Sequence, residues 1–411
     1  MRKRLLFCTH EQFWPLTGGC TAGNFNLMKF FAQNGYDVTV STPLYSDPKW
    51  MQEKFGLKFK PFSPYYMHRK VSFRMVRYLL YGVLSIFHLI SLLRKNEYDI
   101  IYVNNTVIAF PFVFIKRFIK TPVIIRYTDF LSGFLYEDKS YPRFLVRLLK
   151  YYEYRVAAIF DRIYVITEKM KEELHSVGKI PADKIVVTFD GVDGEVFSRA
   201  KVSEQDRIDL RKQMNLPLEA KVVMCHGTIE PHHGEHLLPE IITRVTGAMD
   251  DFYFVLIGVG KGYENIKRKL QGHAKVRMLD FVDYVKIPKY IYASDIGIIP
   301  YQKNHSMDLV LTLKLLEYLS VGTPCVLFDL RSVMDVFGRY DFVKASKDQD
   351  EFVRNICSLR DFGKSPQAAE IIANRFTWAK VGEIIEADFA PLLTAKPEAG
   401  VSTTDGHSLL H

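Results

Sequence analysis

Short apolar runs that alternate with longer helical segments constrain the fold of this 411-residue chain more than any other feature. Each run is nearly continuous in its apolar character and rich in β-branched and aromatic residues. Continuous apolar strands separated by helices are typical of parallel sheets that helices cover on both faces. The runs form two series, so the sequence predicts an α/β protein with two doubly wound parallel-sheet domains. The first series reads RLLFCT, DVTVST, DIIYVNN, PVIIRY, RIYVIT and KIVVTF, and the second reads KVVMCHG, FYFVLIG, VRMLDFV, IGIIPY and TPCVLFD.

A polar connection with few strand-forming residues separates the two series. It reads VDGEVFSRAKVSEQDRIDLRKQMNLPLEA, and we expect the first domain to cover residues 1–198 and the second to cover residues 199–370. Ligands of doubly wound folds bind at the carboxyl ends of the strands, so a cleft between the domains is the expected binding site. Residues 394–411 are small and polar, which predicts a disordered tail.

Positive charge is concentrated in the first half of the chain. Residues 1–200 contain 29 Lys and Arg against 18 Asp and Glu, a net of +11, whereas the remaining residues contain 26 against 28, a net of −2. A basic half indicates an anionic partner, which is a membrane surface, a phosphorylated substrate or nucleic acid. The basic residues follow apolar helices without a nucleic-acid recognition module, so nucleic acid is not expected as a partner.

The segment YLLYGVLSIFHLISLL, residues 78–93, has two interpretations. Its 16 residues are fewer than the roughly 20 that cross a bilayer. Basic residues flank it on both sides, which suits a helix at an anionic membrane surface. Alternatively, it is a buried crossover helix of the first sheet. Two further basic and aromatic segments, FIKRFIK (114–120) and YPRFLVRLLKYYEYR (141–155), favour peripheral contact with a membrane.

Cysteine and histidine usage argues against a metal site. Five cysteines are scattered without a C-x-x-C pair, which indicates reduced thiols in a cytoplasmic protein without a disulfide framework. The segment CHGTIEPHHGEHLL is rich in histidine but lacks the H-E-x-x-H spacing of a zinc site, so no metal is expected. Its histidines are His226, His232, His233 and His236.

Three turns that contain glycine follow predicted strands. Gly18 and Gly19 precede the first predicted helix, Gly227 follows the first run of the second series, and Gly258 follows the next run. Glycines let backbone N–H groups approach an anion, and a helix N-terminus adds partial positive charge. We therefore expect these turns to face a phosphate, with His233 as a further donor. The first turn lacks the fingerprint G-x-G-x-x-G, so a nicotinamide cofactor is not favoured.

The order of the motifs resembles that of the family 4 glycosyltransferases of the GT-B fold. After the first glycine turn come VITEKMKEEL, KIVVTFDGVDGEVF, HGTIEPHHGEHLL, LIGVGKG, VRMLDFV, YIYASDIGIIPY and KLLEYLSVGTPCV, and the match covers about residues 1–390. The resemblance implies two Rossmann-like domains that face a cleft. It implies retaining transfer of a sugar from a nucleotide diphosphate sugar, without a metal ion or other cofactor. It also implies that residues 371–393 form a closing helix that returns to the first domain.

The resemblance implies roles for the residues that match the family motifs. Glu317, in KLLEYLSVGTPC, matches the acidic residue that holds the donor ribose hydroxyls, a suitable task for charge-assisted hydrogen bonds. On periodicity alone, Glu317 is equally consistent with a solvated carboxylate that pairs with Lys314 three residues earlier. Phe281 and Val282 match the edge that meets the base, and the first glycine turn matches the loop that admits the donor phosphate.

One acidic position departs from the family pattern. The family often carries a second Glu eight residues before the ribose-binding one, and that position is Leu309 here. Its neighbour Asp308 is the candidate substitute. The sequence therefore leaves recognition of the sugar itself without a clear residue.

The basic positions depart as well. The usual basic pair on the loop of the second domain falls at Thr228 and His233, so the diphosphate requires another cation, for which Lys314 and Arg126 are the candidates. The histidine that commonly follows a middle strand of the first domain is replaced in IIRYTDFLSG. That segment offers Arg126 and Asp129 as catalytic candidates, with Asp129 orienting the acceptor.

These observations predict a glycosyltransferase whose second domain binds the nucleotide sugar. The basic first domain is expected to bind the acceptor, a lipid-linked or membrane-associated glycan, at the cytoplasmic face of a membrane. One rival is a nucleotide-sugar epimerase or hydrolase of the same fold, which needs no acceptor. A second rival is a catalytically inactive GT-B protein that docks on membranes.

Overall fold

The first domain is built on a sheet of seven parallel strands. The computed structural model describes residues 2–11, 19–42, 49–62, 74–137, 141–229 and 233–394. The strands are β1 (Arg4–Thr9), β2 (Asp37–Thr42), β3 (Lys58–Pro61), β4 (Ile100–Asn104), β5 (Val123–Tyr127), β6 (Arg162–Val165) and β7 (Ile185–Val187). Their order is β3-β2-β1-β4-β5-β6-β7. All residues of β4 and β5 are buried, because helices cover both faces of the sheet.

In the described residues, seven α-helices of the first domain connect these strands. They are α1 (Gly19–Gln33), α2 (Lys49–Phe55), α3 (Arg74–Lys95), α4 (Thr106–Ile115), α5 (Leu131–Glu137), α6 (Arg143–Ala157) and α7 (Glu168–Ser176). The segment predicted at 78–93 lies in α3, which is the crossover between β3 and β4. Tyr81, Leu89 and Leu92 of α3 are buried in the core of the first domain.

The second domain is built on a sheet of six parallel strands. Its order is β10-β9-β8-β11-β12-β13, for β8 (Lys221–Thr228), β9 (Phe252–Val259), β10 (Val276–Leu279), β11 (Ile296–Ile299), β12 (Cys325–Phe328) and β13 (Val343–Ser346). The prediction of two doubly wound α/β domains is thereby confirmed. The remaining helices are α8 (Glu204–Gln213), α9 (Leu238–Ala248), α10 (Lys261–Lys269), α11 (Ile287–Ala293), α12 (Leu313–Ser320), α13 (Arg331–Phe337), α14 (Gln349–Ser358), α15 (Pro366–Arg375) and α16 (Trp378–Thr394).

Two edge strands, β3 and β13, were not predicted from the sequence. Each pairs with a single neighbour, β3 with β2 and β13 with β12. Their sequences, KFKP and VKAS, contain lysines, which an edge strand tolerates because one of its sides faces solvent. The apolar pattern that marks the central strands is therefore weak in both.

Two adjacent segments connect the domains. Val192 N donates to Phe376 O at 2.8 Å, and Trp378 N donates to Val192 O at 3.0 Å. Val192 and Phe197 belong to the core of the second domain, so packing places the change of domain nearer residue 190 than residue 198.

The last helix, α16, packs on the first domain, as the resemblance implied. Trp378, Ile385 and Phe389 are buried in the cluster that contains Leu5 of β1. The ring of Phe389 stacks on Phe31 of α1, with centroids 5.4 Å apart. The tail predicted at 394–411 lies outside the described residues from 395 onward.

The segment 305–310 makes a third contact between the domains. Leu309 is 4% exposed and belongs to the hydrophobic cluster of the first domain. Thr167 Oγ1 at the end of β6 donates to Leu309 O at 2.5 Å. A Cβ at Gly133 of α5 would overlap the hydroxyl of Ser306. The carboxyl ends of the two sheets therefore face each other across a narrow cleft.

Candidate active site

Glu317 is a buried residue of α12, although periodicity placed it on the flank of the helix. Leu315, Leu316 and Leu319 pack into the second domain, and Glu317 itself is 7% exposed. Its Oε2 lies 2.8 Å from Nε2 of His226 at the end of β8. The interpretation of Glu317 as a solvated partner of Lys314 is therefore wrong.

The turn after α12 requires glycine. Gly322 has φ +81°, a conformation that side chains with a Cβ rarely adopt. A Cβ at this position would also lie 2.8 Å from Ser365 O. The helix thus ends where the chain must turn sharply toward the start of β12.

Two glycines predicted to lie in turns are instead the penultimate residues of neighbouring strands. Gly227 of β8 is paired in register with Gly258 of β9. A Cβ at Gly258 would lie 2.8 Å from Gly227 O. Gly227 has φ +104°, and a Cβ there would lie 2.7 Å from Cε of Lys314. The absence of side chains at these positions lets the Lys314 side chain approach the backbone closely.

Lys314 and His233 meet at the carbonyl of Thr228. Lys314 Nζ donates to Thr228 O at 3.4 Å, and Nδ1 of His233 lies 3.0 Å from the same atom. Both side chains also contact Tyr301, with the imidazole stacked at 4.6 Å between centroids and Nζ 5.0 Å from the ring centre. The structure thus brings two of the predicted donor-binding residues, Lys314 and His233, to a third one, Thr228, which is exposed to solvent.

Lys314 keeps its positive charge in this environment. Burial by itself lowers the pKa of Lys314, but the neighbouring Tyr301, Cys225 and Glu317 outweigh burial and raise the pKa above its ordinary value. An ammonium group beside a glycine turn is suited to bind a phosphate.

Asp308 and Leu309 do not supply the missing second carboxylate at the cleft. Oδ1 of Asp308 accepts from Arg331 N at 3.0 Å, at the start of α13, and Asp308 O accepts from Ser332 Oγ at 2.7 Å. These bonds give Asp308 a capping function. Leu309 points into the first domain. The geometry therefore does not support Asp308 as the substitute acid.

Asp129 lies at the end of β5, opposite the second domain. Asn105 Nδ2 donates to Asp129 Oδ1 and to Thr128 Oγ1, both at 3.3 Å. Asn105 has φ 74° and caps α4 by accepting from Thr106 N. A non-glycine residue with positive φ is strained, and such residues cluster at functional sites.

Glu153 of α6 holds the segment that follows Asp129. Its carboxylate accepts from Leu131 N at 2.7 Å and from Ser132 N at 3.1 Å. Burial raises the pKa of Glu153 to about 7, although hydrogen bonds from Ser132 and Leu131 oppose the shift. The backbone at the start of α5 is therefore held by a carboxyl group, that of Glu153, whose pKa is about 7.

Arg126 lies away from the open cleft. The side chain is 2% exposed, and Nη2 donates to Asp190 Oδ1 at 2.6 Å and to Phe189 O at 2.8 Å. Its guanidinium carbon lies 5.3 Å from the ring centre of Trp378. Arg126 therefore ties β5 to the domain connection, and this placement does not support direct contact with a substrate.

The remaining predicted residues show no contact with Glu317 or Lys314 among the described residues. Gly18 lies outside the described residues, and Gly19 is the first residue of α1, with φ 58°. Phe281, after β10, is 60% exposed, while Val282 packs against the core of the second domain.

Two family models match the chain. The Glycosyltransferase Family 4 model matches residues 17–196, and the Glycosyl transferases group 1 model matches residues 220–361. The chain belongs to the family 4 glycosyltransferases. The predicted fold family and the general activity of the transferase are thereby confirmed.

The transferase is similar to known proteins along most of its length. It is 23% identical over 344 residues to an uncharacterized glycosyltransferase of Methanocaldococcus jannaschii, with 81% of this chain and 82% of the relative covered. It is 24% identical over 364 residues to UDP-Gal:alpha-D-GlcNAc-diphosphoundecaprenol alpha-1,3-galactosyltransferase of Escherichia coli, with 86% and 87% covered. The crystal structure of Anabaena HepE in complex with UDP and glucose shares the fold, with a TM-score of 0.69 and 15% identity over 95% of this chain and 99% of that one.

Several residues of the site were missed from the sequence. His226 is a polar residue inside the apolar strand VVMCHG, which is the signal that could have identified it. Glu153 lies seven residues after the buried Val146 in α6, so the pair shares one helix face. Nothing in the local sequence marks Tyr301, because its contacts come from distant parts of the chain.

Replacing Leu309 by the family acid should destabilise the transferase. Leu309→Glu would bury a carboxylate in the apolar cluster of the first domain, at a cost of about 3 kcal/mol or more. Leu309→Met conserves volume and should cost under about 1.5 kcal/mol. Urea unfolding measures both. Equal stability of the two variants would show that Leu309 is not held in the first domain.

Glu153 should make stability depend on pH. The folded state holds a proton on Glu153 between the ordinary value of 4.5 and the raised pKa of about 7, whereas the unfolded state does not. The contribution of Glu153 to the free energy of unfolding is fully present below pH 4.5, the ordinary pKa. It is lost as the pH rises through the folded-state pKa of about 7, a change of up to about 3 kcal/mol.

Glu153→Gln cannot ionise and should lack this component. We expect the stability difference between wild type and Glu153→Gln to fall when urea midpoints are measured from about pH 5 to about pH 8. Glu383→Gln removes an exposed carboxylate from α16 and serves as the control. A difference that stays constant with pH would contradict the raised pKa.

Proposed function

We propose that this transferase moves a sugar from a UDP-sugar to a lipid-linked glycan, with retention at the anomeric carbon and without a metal ion. The observation that carries the proposal is the convergence of Lys314 and His233 on the Thr228 carbonyl beside Gly227. The relatives support the substrates. The name of the E. coli relative specifies a UDP-galactose donor and an acceptor on diphosphoundecaprenol, and HepE is seen with UDP and glucose.

The second domain binds the donor in this proposal. Glu317 accepts hydrogen bonds from the ribose hydroxyls, and Phe281 with Val282 forms the edge that meets the base. Gly227 and Gly258 lack side chains where the diphosphate approaches. Gly19, the first residue of α1, contacts the donor phosphate from the first domain in this proposal.

Departure of UDP requires positive charge near the leaving oxygen. Lys314 supplies an ammonium group, and the imidazole of His233 stacks on the same Tyr301 ring beside it. These two residues replace the basic pair that the family usually carries. They provide the charge compensation that a metal ion would otherwise supply.

The acceptor hydroxyl attacks from the face that UDP leaves. The bond from the acceptor oxygen to the anomeric carbon forms while the bond from that carbon to the phosphate oxygen breaks, and the hydroxyl proton passes to the departing diphosphate. No protein nucleophile is required. Asp129, held by Asn105 at 3.3 Å, orients the acceptor hydroxyl.

A basic and apolar face of the first domain supports a membrane-bound acceptor. Helix α3 contains Tyr78–Lys95, the one helical stretch in the described part of the chain that is long and apolar enough to cross a membrane, with a mean hydropathy of 1.3 and 28% of it buried. One side of α3 is buried in the first domain while the other is exposed, so we propose that it lies along the membrane surface. Its exposed apolar residues are Val76, Leu79, Leu80, Val83, Leu84 and Phe87.

Helices α4 and α6 extend this face. Phe110 of α4 packs against Gly82 of α3, and its ring lies 6.2 Å from that of Tyr152 in α6. The exposed residues are apolar or basic, which matches an anionic lipid surface. They are Val113, Phe114, Arg117, Phe118, Lys120, Phe144, Arg147, Leu148, Lys150 and Tyr151.

Nucleotide binding tests the donor site. A thermal-shift panel of UDP-sugars should stabilise the wild type, and Glu317→Ala should weaken donor binding by roughly tenfold to a hundredfold, the cost of a hydrogen bond to a charged group. Glu383→Ala, on α16, should bind like wild type. Equal stabilisation of Glu317→Ala would contradict its role. Sugar release without any acceptor would instead indicate a hydrolase or epimerase.

Vesicle binding tests the membrane face. The double variant Leu79→Ser, Phe87→Ser removes two side chains that are 57% and 71% exposed. It should bind phosphatidylglycerol vesicles at least about tenfold more weakly, because each apolar side chain inserted is worth about 2 kcal/mol. Val177→Ser, at the exposed end of α7, is the matched control. Unchanged binding of the double variant, or equal binding to neutral vesicles, would contradict the assignment.

A further inference from the structure

His226 joins a strand of the second domain to two neighbouring residues of α12. Nε2 lies 2.8 Å from Glu317 Oε2, and Nδ1 lies 2.9 Å from Oη of Tyr318. The rings of His226 and Tyr318 meet edge to face, with centroids 4.9 Å apart. All three residues are buried. None of the family motifs in the sequence assigns a role to His226.

The hydrogen bonds around Tyr318 determine which imidazole nitrogen donates. The Tyr318 hydroxyl donates its single hydrogen to Met224 O at 2.9 Å, because a carbonyl can only accept. At its contact with His226 the hydroxyl oxygen must therefore accept, so Nδ1 carries a hydrogen. One further proton lies between Nε2 and Oε2. The pair of Glu317 and His226 then has no net charge, which makes its burial tolerable.

This arrangement fixes one oxygen of Glu317 and leaves the other available. Among the described residues, the hydrogen bonds of the carboxylate reach Oε2 and not Oε1. Lys314 lies three residues earlier on α12, a spacing at which Glu and Lys commonly pair. His226 holds the carboxylate instead, and Lys314 donates to Thr228 O. Glu317 and Lys314 therefore have separate partners, so each can bind a different part of a ligand.

We propose that His226 is a positioning residue that holds Glu317 so that its free oxygen meets the ribose hydroxyls of the donor. The inference rests on the proposed donor site and deepens it. His226 does not touch the donor. It restricts the rotation of the Glu317 carboxylate, and it prevents an internal ion pair with Lys314 that would withdraw both groups from the nucleotide.

The test compares two nucleotides on two proteins. UDP and 2′,3′-dideoxy-UDP differ in the ribose hydroxyls, and their affinities can be measured by calorimetry. Wild type should prefer UDP by about tenfold or more, as expected for a hydrogen bond to a charged group. His226→Phe keeps a ring against Tyr318 but removes both nitrogens, and its preference should fall to within about threefold. A role in folding alone would weaken both nucleotides equally and preserve the ratio.

A conservative variant and a control complete the design. His226→Gln retains an amide donor for Glu317 and should recover the preference to within about threefold of wild type. If His226→Phe fails to fold, His226→Ala takes its place, because it also lacks a donor for Glu317 and should lose the preference. His236→Gln changes an exposed histidine of the same region and should match wild type.

An error in the proposed donor site and an error in the role of His226 would give different results. If wild type binds neither nucleotide, the donor site itself is wrong. If wild type prefers UDP and His226→Phe keeps that preference or increases it, the donor site stands and the role of His226 is overturned.

Discussion

The two domains are held together by apolar side chains from the second half of the chain. These side chains are buried in the first domain, and they keep the carboxyl ends of the two sheets opposite each other. Leu309 enters the cluster formed by α4, α6 and the central strands, and Phe389 stacks on α1. Both contacts bury apolar surface that would otherwise face water, which is the dominant favourable term in folding. These packed hydrophobic contacts fix how the two domains lie relative to each other. They therefore also fix the relative positions of the polar residues of the site.

The charges of the site are arranged around this apolar frame. Glu317 is neutralised by His226 at 2.8 Å, whereas Lys314 rests on Tyr301 and a backbone carbonyl. Electrostatic interactions are strong where water is excluded, so an unpaired carboxylate beside a lysine would form an ion pair with it. The histidine separates the two charges. In the proposed donor site, that separation leaves Lys314 for the diphosphate and one oxygen of Glu317 for the ribose hydroxyls.

Much of the fold could be read from the sequence, because central parallel strands are buried on both faces and are apolar throughout. The positions of Gly227 and Gly258 near the carboxyl ends of strands were also predictable, although both lie within β8 and β9 and not in the turns that follow. The edge strands β3 and β13 were not predicted, because one side of each faces solvent and their sequences therefore lack a continuous apolar run. The two sides of α3 could not be separated from the sequence, because one is buried and the other exposed, and composition does not distinguish them.

The sequence by itself determined the two sheets, the order of their motifs and the residues available for the site. Those features depend on local periodicity and on neighbours in the chain. Only the tertiary structure decided how the candidates are used. It directed Arg126 to Asp190, Asp308 to the start of α13 and Leu309 into the first domain. It also joined His226 to a glutamate 91 positions away. These outcomes depend on which side chains meet across the cleft, and no spacing along the chain specifies that.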